Sequence, residues 1–206
     1  DYIDVIQCHV FFTEPNTPVF IEGFRQLKQA GKVRAWGIST GELGPLQVFN
    51  ADGDCDVLQI DYSILNRIPE REILPYSQEA GIGVIVRGPL AMGLLVDKYD
   101  ASAAFPDNDF RHKWIKDPEQ NEQFLRDLDT VTALRPAVPD GQTMAQFALR
   151  FVSSHPAVST AIPGARNASQ ARSNAAAGTL PQLSSEELRE VDRIVSPGGG
   201  RKIWPA

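Results

Sequence analysis

The run "DYIDVIQCH" (residues 1–9) decides how the rest of the chain is read. Tyr2 to Cys8 has the apolar, β-branched pattern of a strand, and the run closes on a histidine, His9. The same kind of run recurs in "KVRAWGIS" (32–39), "CDVLQIDYS" (55–63), "IGVIVRGPL" (82–90) and "AVSTAIPG" (157–164). Helical patterns lie between these runs. "PVFIEGFRQLKQA" (18–30) puts apolar residues at 20, 21, 24 and 27, one face of a 3.6-residue repeat, and Gly31 follows as a stop. "LGPLQVFNA" (43–51) is a short helix. "PEREILPYSQEA" (69–80) reads as one helix with acidic residues in its first turn, closed by Gly81.

A longer polar stretch, residues 96–141, then interrupts the rhythm with "PDNDFRHKW" (106–114) and an acidic helix over 119–134. It reads as an excursion between units rather than a second domain. Helices follow at 143–153, 167–177 and 184–194, the last with a capping-type start in "SSEEL" (184–188). "SPGGG" (196–200) is expected to free the tail.

Strands alternating with helices imply βαβ units and a parallel sheet, and continuous apolar strands imply that both sheet faces are covered. A doubly wound open sheet and a (β/α)8 barrel compete for this pattern. No G-x-G-x-x-G follows a strand, so a dinucleotide-binding doubly wound fold lacks its phosphate loop. Five strands cannot close a barrel of eight, and a full barrel takes about 250 residues; this chain has 206.

Composition bounds the function. The chain is 42% hydrophobic and 22% charged, as globular domains are, and its net charge of −6 argues against a nucleic-acid partner. Cys8 and Cys55 form no disulfide framework, which points to a reducing, cytoplasmic setting. No run of 18 or so apolar residues suggests a membrane span, and the given residues show no basic-then-apolar leader pattern, so a signal peptide is not expected from them.

In an α/β barrel the chemistry sits at the C-terminal strand ends. There the sequence places His9, Ser39 and Thr40, Gln59, Asp61 and Tyr62, Arg87, and Gly164 with its turn. This set has no metal-ligand spacing and suits a polar, phosphate-bearing cofactor.

These same residues carry a resemblance. "DYIDVIQCH", "LKQAGKVRAWGIST", "VLQIDYSILNR", "GVIVRGPLAMGLL" and "IPGARNASQARSN", in that order, resemble the aldo-keto reductase superfamily over nearly the whole chain. The resemblance implies an α/β fold, a (β/α)8 TIM barrel, here partial with about five of eight units and beginning at the fourth strand. Residues 1–206 would be a single barrel domain incomplete at its N-terminus, with 96–141 as the excursion. It implies NADP as cofactor, with NAD possible, and a small-molecule carbonyl substrate reduced to an alcohol. His9 matches the histidine that donates to the carbonyl oxygen, through the D-x4-H pattern of Asp4 and His9. The family's catalytic aspartate, tyrosine and lysine have no match in this chain, so the chain alone is expected to be inactive.

The resemblance assigns the cofactor contacts residue by residue. Ser39 and Gln59 match the side chains on the nicotinamide carboxamide, with Thr40 where many members carry asparagine. Arg87 stands where some members stack a ring on the nicotinamide. Gly88, Pro89, Leu90 and Gly93 match the loop along the pyrophosphate. Gly164, Ala165, Arg166, Gln170 and Asn174 match the segment around the adenine and its ribose 2′-phosphate. Many members have lysine and serine at the positions of Gly164 and Ala165, so preference for NADP rests on Arg166 and Arg172.

Taken without the resemblance, each residue has a plainer reading. His9 is a hydrogen-bonded structural histidine, Ser39 and Thr40 are helix caps, Gln59 satisfies strand-end backbone, Arg87 pairs with a carboxylate, and "IPGARN" (162–167) is a turn. His112 and His155 are structural or exposed. Phe105 and Trp204 are candidate pocket walls. The alternative function is a non-catalytic NADP-binding regulatory subunit on the same barrel.

Overall fold

The five apolar runs become the five strands of one parallel sheet: β1 (Ile3–His9), β2 (Val33–Ser39), β3 (Val57–Asp61), β4 (Gly83–Arg87) and β5 (Val158–Ala161). The computed structural model describes residues 1–9 and 17–203; residues 10–16 and 204–206, Trp204 included, lie outside the described residues. Each strand pairs with its sequence neighbour in the order β1-β2-β3-β4-β5. This is the order of an α/β barrel, whereas a doubly wound sheet reverses at a switch point.

Among the described residues the helices are α1 (Thr17–Gln29), α2 (Leu43–Phe49), α3 (Ile73–Glu79), α4 (Lys113–Lys116), α5 (Pro118–Leu134), α6 (Met144–Ser154), α7 (Ala168–Ala177) and α8 (Ser185–Ile194). α1, α2, α3 and α6 pack against the strands, α7 packs on α6 and α8 on α5; the sheet face carrying Cys8, Trp36, Ile38, Leu58, Ile60, Val84 and Val86 is buried. Trp36 anchors this layer: its ring meets Phe24 of α1 at 5.9 Å and Phe49 of α2 at 6.3 Å between centroids. Because side chains alternate along a strand, the other face receives Gln7, His9, Ser39, Gln59, Asp61 and Arg87. No described helix is long and apolar enough to cross a membrane.

Local sequence sets the helix ends. Thr143 opens α6 and Ser184 opens α8 with reciprocal capping boxes to Gln146 and Glu187. Asn167 caps α7 by accepting from the Gln170 N–H. The excursion contributes to the common core through Phe105, Trp114, Phe124, Val131 and Leu134.

Three expectations change. First, β1 lies at one edge of the sheet and the face that carries Ile3 and Val5 is exposed, at 54% and 41% accessible, so only the face carrying Cys8 is covered. Second, residues 69–80 are not one helix. A short 3-10 turn spans Ile68–Arg71, Glu72 adopts φ −143°, and α3 starts at Ile73. Pro75 explains the break, since its ring would collide with the Arg71 carbonyl in a continuous helix. Third, "SPGGG" does not free the tail. The Arg67 N–H donates to the Gly199 carbonyl at 3.0 Å and the Arg201 N–H to the Leu65 carbonyl at 2.9 Å. The glycines serve close approach: a Cβ at Gly200 (φ +75°) would fall 2.2 Å from the Leu65 oxygen.

Buried charge ties this tail down. Arg67 donates through Nε to Glu70 at 2.9 Å, and through Nη1 to Asp192 at 2.8 Å and to the Val195 carbonyl at 2.6 Å. Glu70 also accepts from the Tyr62 hydroxyl at 2.6 Å and from the Gly198 N–H at 3.0 Å. Burial and the neighbouring Glu70 carboxylate drive the Tyr62 phenol pKa far above its usual value.

Candidate functional site at the strand ends

The carboxyl ends of β1, β2 and β3 form a row. His9 is in register with Ser39, and Ser39 with Gln59. Two strand spacings separate the outer members, roughly 10 Å. His9 is exposed and Ser39 is buried. Gln59 donates through Nε2 to the Gln7 Oε1 at 2.7 Å. Next to this row, Arg87 ends β4 in register with Asp61 of β3. Asn66 Nδ2 donates to the Asp61 carboxylate at 2.8 Å. Gly88 then turns the chain with φ +65°, where a Cβ would lie 2.3 Å from that carboxylate, so glycine is required.

Beyond Gly88 the backbone is strained. Ala91, Met92 and Asp97 are the described non-glycine residues with positive φ, at 48°, 57° and 54°. Such residues cost of order 1–3 kcal/mol each and persist where surrounding contacts hold them. Arg135 grips the Asp97 carboxylate at 2.8 Å, and Arg111, in the excursion, holds Met92. The Arg111 Nη1 donates to the Met92 carbonyl at 3.3 Å and to the Tyr99 hydroxyl at 2.7 Å, and its guanidinium lies 4.8 Å from the Phe105 ring centre. Asp109 grips the other side of Arg111 at 2.6 and 2.9 Å. The Arg111 hydrogen bonds hold the Asp109 carboxyl well below its usual pKa, at about 2.

These segments wall a groove of about 1030 Å³. Arg87, Gly88, Pro89, Leu90 and Gly93 line one stretch of it, and Gly164, Ala165, Arg166, Gln170 and Asn174 another. Its charged walls are Arg87, Lys98, Arg111 and Arg166 against Asp109, a basic site in an acidic chain. The loop before α7 is braced by that helix. Gln170 Oε1 accepts from the Arg166 N–H at 2.7 Å, and Asn174 Nδ2 donates to the Gly164 carbonyl at 3.2 Å.

The groove gathers ten of the residues singled out in the sequence, while His9, Ser39, Thr40 and Gln59 lie outside its lining, on the adjacent strand ends. Thr40 also has its plain role, since its hydroxyl accepts from the Glu42 N–H at 3.1 Å in the turn leading into α2. Arg172 does not line the groove. Phe105 is a core residue beneath Arg111, 6% exposed, and not a wall. The sequence reading missed Lys98, Tyr99, Asn108, Asp109, Phe110 and Arg111, which the excursion contributes. The clue was the Asp-x-Arg pair inside "PDNDFRHKW".

A sequence profile of the Aldo/keto reductase family matches residues 1–196. An uncharacterized oxidoreductase of Bacillus subtilis is 31% identical over 193 residues, covering 92% of this chain and 59% of that protein. An NADH-specific methylglyoxal reductase of Escherichia coli is 30% identical over 86% of this chain and 54% of its own length. An aldo-keto reductase from Klebsiella pneumoniae, solved in complex with NADPH, superimposes with a TM-score of 0.70 at 26% identity over 96% of this chain and 60% of that one. The chain thus spans under two thirds of the length of these relatives.

Proposed function

The chain belongs to the aldo/keto reductase family, and from that premise we propose that it carries the cofactor site and the substrate-orienting histidine of an NADP(H)-dependent carbonyl reductase. The observation that carries this reading is the row His9–Ser39–Gln59 running beside Arg87 into a basic groove. The groove fits a phosphate-bearing dinucleotide in charge. Its volume of about 1030 Å³ reaches the upper end of ordinary ligand pockets.

When bound, the reduced nicotinamide supplies the hydride that turns an aldehyde or ketone into an alcohol. His9 donates a hydrogen bond to the carbonyl oxygen, where negative charge develops. Ser39 and Gln59 hold the carboxamide, with Thr40 beside them. The planar Arg87 guanidinium stacks on the nicotinamide ring. Gly88, Pro89, Leu90 and Gly93 follow the pyrophosphate, and Gly164, Ala165, Gln170 and Asn174 surround the adenosine. Arg166 meets the 2′-phosphate, which favours NADP; the NADH-specific relative keeps NAD as an option.

Neither tyrosine near the site is placed to deliver the proton. Tyr62 is buried against Glu70, and the Tyr99 hydroxyl is engaged by Arg111. The chain alone therefore binds cofactor without turning it over. On this reading residues 1–206 form one barrel domain, in the cytoplasm, with 96–141 as the excursion that walls the groove and a small carbonyl compound as substrate.

Titrating the 206-residue chain into NADPH and following its fluorescence tests the reading. Saturable binding is expected, with no oxidation when an aldehyde is added. Arg166→Ala should weaken NADPH about tenfold and NADH much less, the loss of one charge-assisted contact. Absence of saturable binding at millimolar NADPH refutes the proposal.

A further inference from the structure

Gln7 shares the inner face of β1 with His9, two residues away. Its Oε1 accepts the hydrogen bond from Gln59 Nε2 at 2.7 Å, while its own Nε2 is buried with no hydrogen-bond partner. β2 runs between β1 and β3, and the residue in register with Gln7 there is Gly37, which has no side chain to separate the two amides. Gly37 cannot gain one, since a Cβ would fall 1.7 Å from the Val57 carbonyl oxygen.

A primary amide offers a donor at one end and an acceptor at the other. Gln59 spends one of its two N–H donors on Gln7, which turns the nitrogen end of its amide toward Gln7 and leaves the oxygen, which accepts no other described hydrogen bond, as the end offered to a ligand. We propose that Gln7 is a positioning residue: it fixes the amide orientation of Gln59 so that Gln59 presents an acceptor, and the site thereby selects a nicotinamide carrying a carboxamide N–H2. This rests on the reading that Gln59 faces the nicotinamide. The distinction has a chemical consequence. A donor at Gln59 would accept any carbonyl substituent on the pyridine ring, whereas an acceptor requires an N–H.

The probes are NADP+ and its 3-acetylpyridine analogue, in which a methyl group replaces the carboxamide N–H2 and the charge is the same. Their dissociation constants are measured on the full chain and on Gln7→Leu, Gln7→Ala and Gln7→Glu, with the circular dichroism of each variant checked first. The native chain should bind NADP+ about fivefold more tightly than the analogue, the effect of one hydrogen bond. Gln7→Leu and Gln7→Ala should bring that ratio close to one. Gln7→Glu, which retains the acceptor for Gln59, should keep it, and its added charge cancels in the ratio. The inference is overturned if the native chain binds both ligands equally, or if Gln7→Leu and Gln7→Ala weaken both alike and leave the ratio unchanged. A native chain that binds neither ligand removes the cofactor reading itself, and the inference falls with it.

Discussion

Replacing Glu70 with alanine should be among the most damaging single changes in this protein outside the sheet core. One carboxylate accepts from the Tyr62 hydroxyl, from Arg67 Nε and from the Gly198 N–H. The Arg67 side chain is 6% exposed and that of Glu70 11%, so water cannot substitute for what is removed. Alanine leaves a buried phenol hydroxyl without an acceptor, which costs about 1–3 kcal/mol, and takes a charge-assisted bond of about 1.5–3 kcal/mol from Arg67. Arg67 keeps Asp192 and the Val195 carbonyl, so its charge is not left bare. The combined loss should be about 3–5 kcal/mol, the range for breaking a buried ion pair from one side. The Glu70→Gln variant would keep an acceptor for Tyr62 and Arg67 but turn an amide nitrogen toward the Gly198 N–H, for a loss of about 1–2 kcal/mol. Urea unfolding followed by tryptophan fluorescence measures both, the midpoint falling at an unchanged slope. A loss below about 1 kcal/mol for alanine, or equal losses for the two variants, would refute the reasoning.

The remaining predictions concern the tail and the groove. Gly200→Ala forces a Cβ against the Leu65 backbone at φ +75°; a loss of about 2 kcal/mol or more is expected, together with faster tryptic cleavage at Arg201. Asp109 has a folded pKa of about 2, below its ordinary 3.8. Its stabilisation is therefore present above about pH 4 and disappears as the pH falls toward 2. Asp109→Asn should be less stable than the native chain at pH 6 and lose less of that stability between pH 6 and pH 3; parallel unfolding midpoints for the two proteins would disprove it.

Much of the architecture was legible because it rests on local rules. Strand runs, the Ser184 capping box and the helix-ending glycines all act over a few residues, and most elements appear within two or three residues of where those signals put them, the helix expected over 69–80 excepted. What escaped was set by distant partners. The tail looked loose because glycine usually means freedom, yet Gly198 is held by Glu70 and Arg201 by Leu65, more than a hundred residues earlier. Likewise Arg111 gave no local sign that it supports Met92 and Tyr99. At the site, the strand-end position of His9, Ser39, Gln59 and Arg87 followed from strand alternation alone. The far wall of the groove did not, because a polar stretch without periodicity carries no direction.

The clasp between residues 62–71 and 192–201 also sets an order of events during synthesis. Arg67 and Asp192 are 125 residues apart, and Arg67 and the Val195 carbonyl 128. At translation speeds of about 5–20 residues per second, Arg67 waits many seconds with Glu70 as its nearby counter-charge before Asp192 and Val195 are made. Through that interval the segment after β3 cannot reach its final form, however well the strands have paired. A nascent chain halted before Asp192 should therefore hold a collapsed sheet whose β3 exit is still open to chaperones and proteases until residues 192–201 are made and close it.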